Sequence, residues 1–422
     1  MAPLTLAVYP DGVWDRAKGE RIIVSYVKRT RNQHFKDEGP KRILALDGGG
    51  LKGIVTLGFL GRLEETLRER HGSDPEFRLC HYFDLIAGTS TGAIIAAALA
   101  LGLSVDEVTG HYMTMGEKVF EGSWFRKGVL RARYDDEALK RLLKDVLGKD
   151  TLLGSQDLRT GLLVVTKRMD TGSTWPLGNN PRGRYFRGHE GSGRIGNGDY
   201  PLWQVVRAST AAPHFFDPET IAINVGTSRK QAVRGDFVDG GVSPHNNPAL
   251  QALMYATLDG HRVGWPMGAD RLLLVSVGTG RAAPGHEPSR MAAAHAMKSL
   301  LSLMADCGDL VETMLQWMSS GARVRWMDRE LEALQDDLLA PEPLLSYLRY
   351  DVSFDPEAID GLRAGLSEGT SSALDAKRID SLSKMDRKDN LTIWKEIGAA
   401  AAADQVDPEE LPERFDLPAS RG

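Results

Sequence analysis

The sequence predicts an α/β fold: a three-layer α/β/α arrangement around a mainly parallel central sheet, followed by a helical C-terminal region. The first observation is a set of short apolar runs, rich in branched residues and without polar alternation: Ile43–Leu46, Phe83–Ala87, Leu162–Thr166 and Leu272–Val277. Such runs are typical of strands buried on both faces, which occur in parallel sheets covered by helices. The second observation is helical periodicity between the runs, which favours strand–helix–strand units.

Four helices are predicted in these intervals from apolar residues at three- and four-residue spacing: Leu57–Arg70, Ala93–Leu103, Ser104–Met115 and Asp136–Leu147. Ser104 and Glu107 have the spacing of a capping box at the start of the third helix, and Gly102 can end the second. These signals place a helix boundary at residues 102–104.

Helical patterns dominate beyond Gly280. In Met291–Met318 the apolar residues recur at helical spacing and Gly308 offers a break, so a pair of helices is expected. Two roles remain open for this segment: a face packed on the core, or a methionine-rich lid or lipid-facing surface. Leu345–Phe354 is predicted as one more strand and Asn390–Ala403 as a terminal helix.

Four segments are expected along the chain. Residues 1–40 form an N-terminal extension, residues 41–281 the α/β domain, and residues 282–403 a mostly helical region packed on that domain. Residues 404–422 carry six acids against two arginines, together with prolines, so this tail is predicted to be disordered.

Composition excludes several classes of protein. The 422 residues are 42% hydrophobic and 26% charged, which is typical of folded globular chains. A net charge of −5 gives no basic surplus for binding nucleic acid. Cys80 and Cys307 cannot build a disulfide framework or a zinc site, and Met1–Pro10 lacks the features of a signal peptide, so a cytoplasmic location is expected.

One uncharged stretch imitates a membrane span. Leu85–Val105 is long enough for a bilayer helix, but its first third is rich in Gly, Ser and Thr. A buried strand–turn–helix is therefore predicted in its place, and no transmembrane segment is expected.

The first glycine-rich turn is Asp47-Gly48-Gly49-Gly50-Leu51-Lys52-Gly53, which lies between a predicted strand and a helix. Consecutive glycines let several N–H groups point to one site, and a helix N-terminus adds partial positive charge, so the turn predicts an anion-binding loop. The anion is either a bound phosphate or the oxyanion of an acyl-transfer intermediate. Because Gly48, Gly50 and Gly53 match the dinucleotide-binding pattern, an oxidoreductase stays an alternative, although no acid ends a second strand about 20 residues later.

The second glycine-rich turn, Gly88-Thr89-Ser90-Thr91-Gly92, also lies between a predicted strand and a helix. It matches G-x-S-x-G in the context of a nucleophile elbow, where flanking glycines relieve crowding and leave the Ser90 hydroxyl exposed. The helix N-terminus would favour alkoxide character and a developing oxyanion. The turn predicts Ser90 as a nucleophile, and the plainer interpretation is a polar turn with a helix-capping serine.

A serine nucleophile requires a base, and two kinds of base are open. In the chain order of serine α/β-hydrolases with a Ser-His-Asp triad, the base would be His245, His261 or His286. The other candidate is Asp239, which an apolar pair delivers to the turn Asp239-Gly240-Gly241. A third class of protein, one that binds or stores a ligand without turnover, would carry the same residues.

In this order, the loop 47–53, the turn 88–92 and the segment 239–241 resemble the patatin-like phospholipase family. The blocks Ala208–Pro213, Asn246–Pro248 and Val277–Gly280 also resemble family blocks, so the likeness covers residues 41–281. The resemblance implies a patatin-like catalytic domain that hydrolyses fatty-acyl esters of glycerophospholipids. It implies a Ser90–Asp239 dyad that forms an acyl-enzyme without a catalytic histidine, and it requires no metal and no cofactor.

The same resemblance assigns the other site residues. Gly88 and Gly92 belong to the nucleophile elbow, and the oxyanion hole is expected at Gly48, Gly49, Gly50 and Lys52. The family usually has arginine where this chain has Lys52, which keeps the charge but loses the planar fork, so a bidentate role is not carried over.

A membrane contact is expected between residues 122 and 134, where aromatic and basic residues occur without an acid. The residues singled out there are Trp124, Phe125, Arg126 and Lys127. This mixture predicts contact with anionic headgroups, and a basic loop with its aromatics in the core is the alternative. Phospholipid or another acyl lipid is the expected partner of a protein that acts peripherally at membranes.

Overall fold

The computed structural model describes residues 6–9, 12–15, 20–22, 26–119, 136–188, 192–213, 215–226, 231–281, 292–321, 323–327, 330–334 and 337–419. Two sheets lie in these residues. Near the N-terminus, three strands pair antiparallel: β1 (Leu6–Tyr9), β2 (Gly12–Asp15) and β3 (Glu20–Ile22). The central sheet has nine strands: β4 (Lys41–Leu46), β5 (Leu85–Thr89), β6 (Gly161–Arg168), β7 (Ser173–Gly178), β8 (Glu219–Asn224), β9 (Val233–Asp239), β10 (Leu272–Val277), β11 (Ser319–Ser320) and β12 (Leu345–Tyr350).

The helices of the described residues confirm the predicted layered class. They are α1 (Arg31–Lys36), α2 (Gly53–Arg70), α3 (Leu79–Tyr82), α4 (Thr91–Ala100), α5 (Val105–Val119), α6 (Asp136–Leu147), α7 (Leu202–Ser209), α8 (Ala249–Thr257), α9 (Ala292–Trp317), α10 (Pro356–Leu362), α11 (Glu368–Ala373), α12 (Ala376–Ser381) and α13 (Leu391–Gln405).

The central sheet is mainly parallel. Its strands lie in the order β11-β12-β10-β4-β5-β6-β9-β8, and β7 pairs with β6 outside this path. Strands β11 to β6 along this order are parallel, whereas β7, β8 and β9 join antiparallel. The carboxyl ends of the parallel strands therefore meet at one edge of the sheet.

Two apolar cores cover the faces of the sheet. The larger core contains side chains of α2, α4 and α13, and the smaller one contains side chains of α8 and of the second half of α9. Alternate residues of one strand enter different cores: Leu44 belongs to the larger core and Ile43 to the smaller. Burial on both faces explains why these strands are continuous apolar runs.

The four strands predicted from apolar runs are present as β4, β5, β6 and β10, with ends within two residues of prediction. The predicted strand at Leu345–Phe354 is β12, and it lies inside the central sheet between β10 and β11. The helical C-terminal region therefore contributes strands to the same sheet as the α/β domain.

Two expectations for the C-terminal region are wrong. Met291–Met318 is not a pair of helices, because α9 continues through Gly308, where one glycine costs only about 1 kcal/mol relative to alanine. Residues 404–419 are not disordered, because Leu411 and Phe415 are buried and the Leu417 N–H donates to His71 Nε2 at 2.9 Å. The prediction of disorder rested on the acidic composition and did not count the few apolar residues that pack this segment on the core.

Candidate active site

Two strands end beside the same neighbour, β6, and this brings Ser90 and Asp239 together. β5 runs parallel to β6 and pairs Thr89 with Val165, whereas β9 runs antiparallel to β6 and pairs Asp239 with Thr166. β5 and β9 lie along the same side of β6, and their C-terminal ends approach each other. Residues at their ends thus lie side by side, although 149 positions separate them in the chain.

The Ser90 hydroxyl donates a hydrogen bond to the carboxylate of Asp239, with 2.5 Å between Ser90 Oγ and Asp239 Oδ2. The second carboxylate oxygen, Oδ1, accepts the Gly241 N–H at 2.7 Å, which orients the group. Both residues are nearly buried, with exposures of 9% for Ser90 and 5% for Asp239. This separation is typical of a hydroxyl bonded to an ionised carboxylate. The pair can pass a proton as the hydroxyl oxygen attacks an electrophile.

Burial raises the pKa of Asp239 from its ordinary value of 3.8 to about 6. The hydrogen bonds from Ser90 and Gly241 and the charge of Arg207 offset only part of this effect. A carboxylate with a pKa near 6 is a stronger base than an exposed aspartate and is still mainly ionised at neutral pH.

The Ser90 backbone has the geometry of a strained elbow. Its φ of 56° and ψ of −125° lie in a region that costs a non-glycine residue about 1–3 kcal/mol. The Ser90 N–H donates to Ser209 Oγ at 2.9 Å, and that hydroxyl donates to the Val165 carbonyl at 2.6 Å. A side chain at Gly92 would collide with the Leu46 carbonyl, so the helix can start this close to β4 only with glycine there.

The glycine loop 47–53 lies against the dyad. A Cβ at Gly48 would be 3.1 Å from the Ser90 Cβ. The Gly48 N–H donates to the Asn246 carbonyl at 3.1 Å, and the Gly49 N–H donates to the Thr91 hydroxyl at 3.2 Å. Within the described residues the Gly50 N–H has no hydrogen-bond acceptor. Among the described contacts, the Gly50 amide is therefore available to an oxyanion, whereas the Gly48 and Gly49 amides hold the loop in place.

The contacts of Lys52 do not support its expected place in the oxyanion hole. Its N–H donates to the Gly49 carbonyl at 3.2 Å, and its ammonium donates to the Gly280 carbonyl at 2.9 Å. The ammonium also lies 5.7 Å from the centre of the Phe354 ring, and burial lowers the Lys52 pKa to about 8. The side chain therefore ties the glycine loop to the turn after β10 through this hydrogen bond.

Arg349 on β12 holds the first residue of the loop, although sequence patterns do not single it out. Its guanidinium binds both carboxylate oxygens of Asp47, at 3.0 and 2.7 Å. It also donates to Ser276 Oγ at 2.7 Å and to Asp351 Oδ2 at 2.9 Å. The one signal in the sequence is an arginine inside an otherwise mostly apolar predicted strand, since a buried charge requires a partner.

The dyad and the glycine loop line one cavity of about 1700 Å³. Large apolar side chains form part of its wall: Ile94, Met115, Leu139, Phe215, Phe216, Leu300, Leu301 and Met304. The cavity exceeds the usual size of small-molecule pockets, and a wall of this kind suits a ligand with a long apolar part.

No described histidine forms a hydrogen bond with Ser90 or with the carboxylate of Asp239. Thr89 Oγ1 donates to the backbone carbonyl of His245 at 2.7 Å, while the His245 ring makes no hydrogen bond with the dyad. The His261 ring packs on Tyr255, with 4.9 Å between ring centres. The third triad candidate, His286, lies outside the described residues.

The dinucleotide alternative is also weakened by the loop's contacts. A side chain at Gly49 would collide with Thr279, and the Leu51 N–H donates to the Met385 carbonyl at 2.8 Å. Protein atoms thus occupy the space beside the loop backbone that a bound pyrophosphate would need.

Two further expectations concern membranes. Trp124, Phe125, Arg126 and Lys127 lie outside the described residues, so their membrane contact stays a prediction. In the part of the chain that the structure describes, no helix combines the length and apolarity needed to cross a bilayer. Leu85–Val105 instead forms β5, the elbow, α4 and the turn into α5.

Residues 44–253 match the family model for patatin-like phospholipases. Patatin-T5 of Solanum tuberosum is 26% identical over 252 residues, which cover 56% of this chain and 58% of the relative. Probable inactive patatin-like protein 9 of Arabidopsis thaliana is 28% identical over 270 residues, which cover 61% and 65%. A cUMP-AMP-activated phospholipase of Escherichia coli is 33% identical over 218 residues, which cover 51% and 59%.

The chain therefore spans less than two thirds of the length of each of these relatives. The matched segment contains both glycine-rich turns in full and also contains Asp239. This agrees with the resemblance that the three motifs predict. Residues 44–253 constitute a patatin-like phospholipase domain.

Proposed function

We propose that this protein is a lipid acyl hydrolase that cleaves fatty-acyl esters of glycerophospholipids through Ser90 and Asp239. The observation that carries the proposal is the 2.5 Å hydrogen bond from Ser90 Oγ to Asp239 Oδ2 at the wall of a large, partly apolar cavity. A family match alone would not suffice, because one relative is named as an inactive protein.

In the first half-reaction the Ser90 oxygen attacks the ester carbonyl, and Asp239 accepts the hydroxyl proton. The Gly49 and Gly50 amides stabilise the tetrahedral oxyanion, after the Gly49 N–H leaves the Thr91 hydroxyl. Collapse of the intermediate expels the lysolipid alcohol, which takes the proton from Asp239 and leaves an acyl group on Ser90. Removal of one oxyanion donor costs about 2.7–4 kcal/mol in comparable sites, so the loop supplies much of the rate.

In the second half-reaction water attacks the acyl-enzyme while Asp239 accepts a proton from it. The fatty acid leaves and Ser90 regains its proton. Burial supports this role, because the raised pKa of Asp239 makes it a better base.

The test uses the Ser90→Ala and Asp239→Asn variants with phospholipid vesicles, and mass spectrometry measures released fatty acid. Both changes are expected to abolish release. Asp236→Asn is the matched control, because Asp236 lies on the same strand, is exposed and bonds to Thr220 Oγ1. Its activity should equal that of the wild type.

A fluorophosphonate probe reports on the nucleophile separately. It is expected to label the wild type and not Ser90→Ala. Release of fatty acid by Ser90→Ala would refute the proposal. Full activity of Asp239→Asn would leave Ser90 as the nucleophile but assign the role of the base to another residue.

A further inference from the structure

A second pocket lies apart from the cavity that contains the dyad. It has a volume of about 550 Å³ and is lined by Pro181, Gly183, Gly188 and four arginines, Arg182, Arg184, Arg187 and Arg262. It shares no lining residue with the cavity of the dyad, and none of its lining residues is an acid. We term it the arginine pocket.

The arginine pocket lies toward the amino ends of the parallel strands, whereas the dyad lies at their carboxyl ends. The Asn179 N–H donates to the Leu162 carbonyl at 3.1 Å, so the loop with three of the arginines begins beside the second residue of β6. Asp239 pairs with Thr166, four residues further along the same strand. Four residues of a strand span about 13 Å, so the pocket is separated from Ser90 by the length of the sheet between them.

The loop after Asn180 is bonded to the turn that contains Arg262. The Asn180 side chain is 1% exposed and donates to the carbonyls of His261 and Arg262 at 3.1 and 3.2 Å. It also accepts the Arg182 N–H at 3.1 Å, and the Arg182 guanidinium donates to the Val263 carbonyl at 3.0 Å. The two segments that line the pocket are therefore held against each other by protein contacts alone.

Neighbouring acids do not neutralise the four guanidinium groups. Among the contacts of the described residues, none of the four forms an ion pair, whereas Arg281 elsewhere in the molecule binds three acids. Residues 171–188 contain no Asp or Glu, and Asp259, the acid closest in sequence to Arg262, does not line the pocket. Like charges around one pocket repel each other and together attract an anion.

Arg262 has a backbone conformation that arginine adopts rarely. Its φ of 58° and ψ of 27° lie in the left-handed region, which glycine and asparagine adopt with less strain. A strained residue whose side chain lines a pocket indicates that this side chain is used there.

We propose that the arginine pocket binds a ligand that carries two or more adjacent phosphate groups. Guanidinium groups bind phosphate oxygens in a bidentate manner, and four of them carry more charge than one phosphate neutralises. A volume of about 550 Å³ lies within the usual range of small-ligand pockets. A soluble molecule and a lipid headgroup present the same phosphates, and the test separates these two sources. The inference does not depend on the hydrolysis proposed for Ser90.

The first test measures binding of inorganic triphosphate by isothermal titration calorimetry. The double variant Arg184→Gln, Arg187→Gln is expected to bind at least about tenfold more weakly than the wild type, because two of the four charged donors are lost. The matched control is Arg141→Gln, Arg234→Gln, which removes the same charge from exposed positions outside the pocket. It should bind as the wild type does.

The variant Arg262→Gly tests the meaning of the backbone conformation. It should also bind triphosphate about tenfold more weakly, while its midpoint of thermal unfolding stays equal to that of the wild type or rises, because glycine relieves the strain at φ 58°. A lowered midpoint with unchanged binding would show that the arginine serves the fold and would contradict the role inferred for its side chain.

Sedimentation with phosphatidylcholine vesicles that contain phosphatidylinositol bisphosphate separates the two sources of phosphate. The Ser90→Ala background leaves the vesicles intact. Vesicle binding that triphosphate displaces, and that the double variant lacks, would assign the phosphates to a lipid headgroup. Binding of triphosphate without binding of vesicles would assign them to a soluble molecule. Either result supports the proposal.

Two results would overturn the proposal. One is that the wild type binds neither triphosphate nor these vesicles, and the other is that the double variant binds them as tightly as the wild type. Absence of ester hydrolysis by the wild type would refute the proposed function and leave the binding result standing, because no step of the binding involves Ser90.

Discussion

Two buried aspartates at opposite ends of β5 show how partners decide what a carboxylate does. Asp84 precedes the strand and Asp239 lies beside its end, and both are at most 5% exposed. Burial raises the pKa of each, but Arg42, His34 and Arg29 bring the pKa of Asp84 well below its ordinary value. Asp239 receives only two hydrogen bonds and the charge of Arg207, so its pKa stays near 6.

The difference separates a carboxylate that is compensated within the fold from the one that we propose as the base. Asp84 accepts hydrogen bonds from Arg42 and His34 and forms an ion pair with Arg29 at 2.9 Å. A carboxylate with that much compensation is stable as an anion and is a poor base. Asp239 lacks such compensation. Its burial as an anion therefore lowers the stability of the fold and makes the carboxylate a stronger base. Four predictions test this contrast.

The largest expected effect on stability is that of Asp84→Asn. This change leaves buried arginines without their counter-charge, so we expect a loss of about 3–5 kcal/mol in the free energy of unfolding. Chemical denaturation at pH 7 measures it. The control is Asp380→Asn, which removes an exposed pair with Lys384 and should change stability by less than about 0.5 kcal/mol. Equal effects of the two changes would contradict the role assigned to burial.

Asp239→Asn should instead increase the free energy of unfolding. Because the folded pKa is near 6 and the unfolded value is 3.8, the unfolded chain loses this proton first as pH rises. Stability therefore falls between about pH 4 and 6, and the penalty is complete above pH 6. The asparagine variant avoids it and should be more stable at pH 8 by up to about 3 kcal/mol. The gain should disappear below pH 4, and a loss of stability at pH 8 would reverse the comparison.

A third buried carboxylate, Asp47, tests whether a paired group can still serve the reaction by holding the loop. Arg349→Met removes the fork that binds Asp47, so kcat should fall about tenfold with a smaller change in KM. Steady-state kinetics on a soluble ester measure the two constants. Because the single variant leaves a buried anion, the double variant Arg349→Met, Asp47→Asn serves as the control for folding. A double variant with wild-type kcat would show that the Arg349–Asp47 pair stabilises the fold and has no part in the reaction.

Lys52 should have the smallest effect. Its ammonium donates to the Gly280 carbonyl and makes no hydrogen bond with Ser90 or Asp239 among the described contacts, so Lys52→Met should lower kcat by less than about threefold. The same kinetic assay measures it, with Lys52→Arg as the companion that restores the family's residue. A loss of a hundredfold or more would return Lys52 to the oxyanion hole.

The sequence indicates the parts of the site better than their assembly. Both glycine-rich turns follow strands that are predicted almost to the residue, because burial on both faces leaves a continuous apolar pattern. Asp239 is a candidate from its turn, yet nothing local separates it from His245 or His261. The antiparallel approach of β9 to β6 brings Asp239 into hydrogen-bond contact with Ser90, and pairing between distant strands leaves no trace in local spacing.

What the sequence alone determined is the layered α/β class, the two glycine-rich turns and the serine on the second of them, since these depend on local backbone geometry and apolar periodicity. The tertiary structure decided that Arg349 holds the glycine loop, that Asp239 meets Ser90, and that the acidic end of the chain packs on the core through Phe415. Each of these contacts joins residues more than 100 positions apart. Only the folded chain determines which charges, hydroxyls and rings share a buried space.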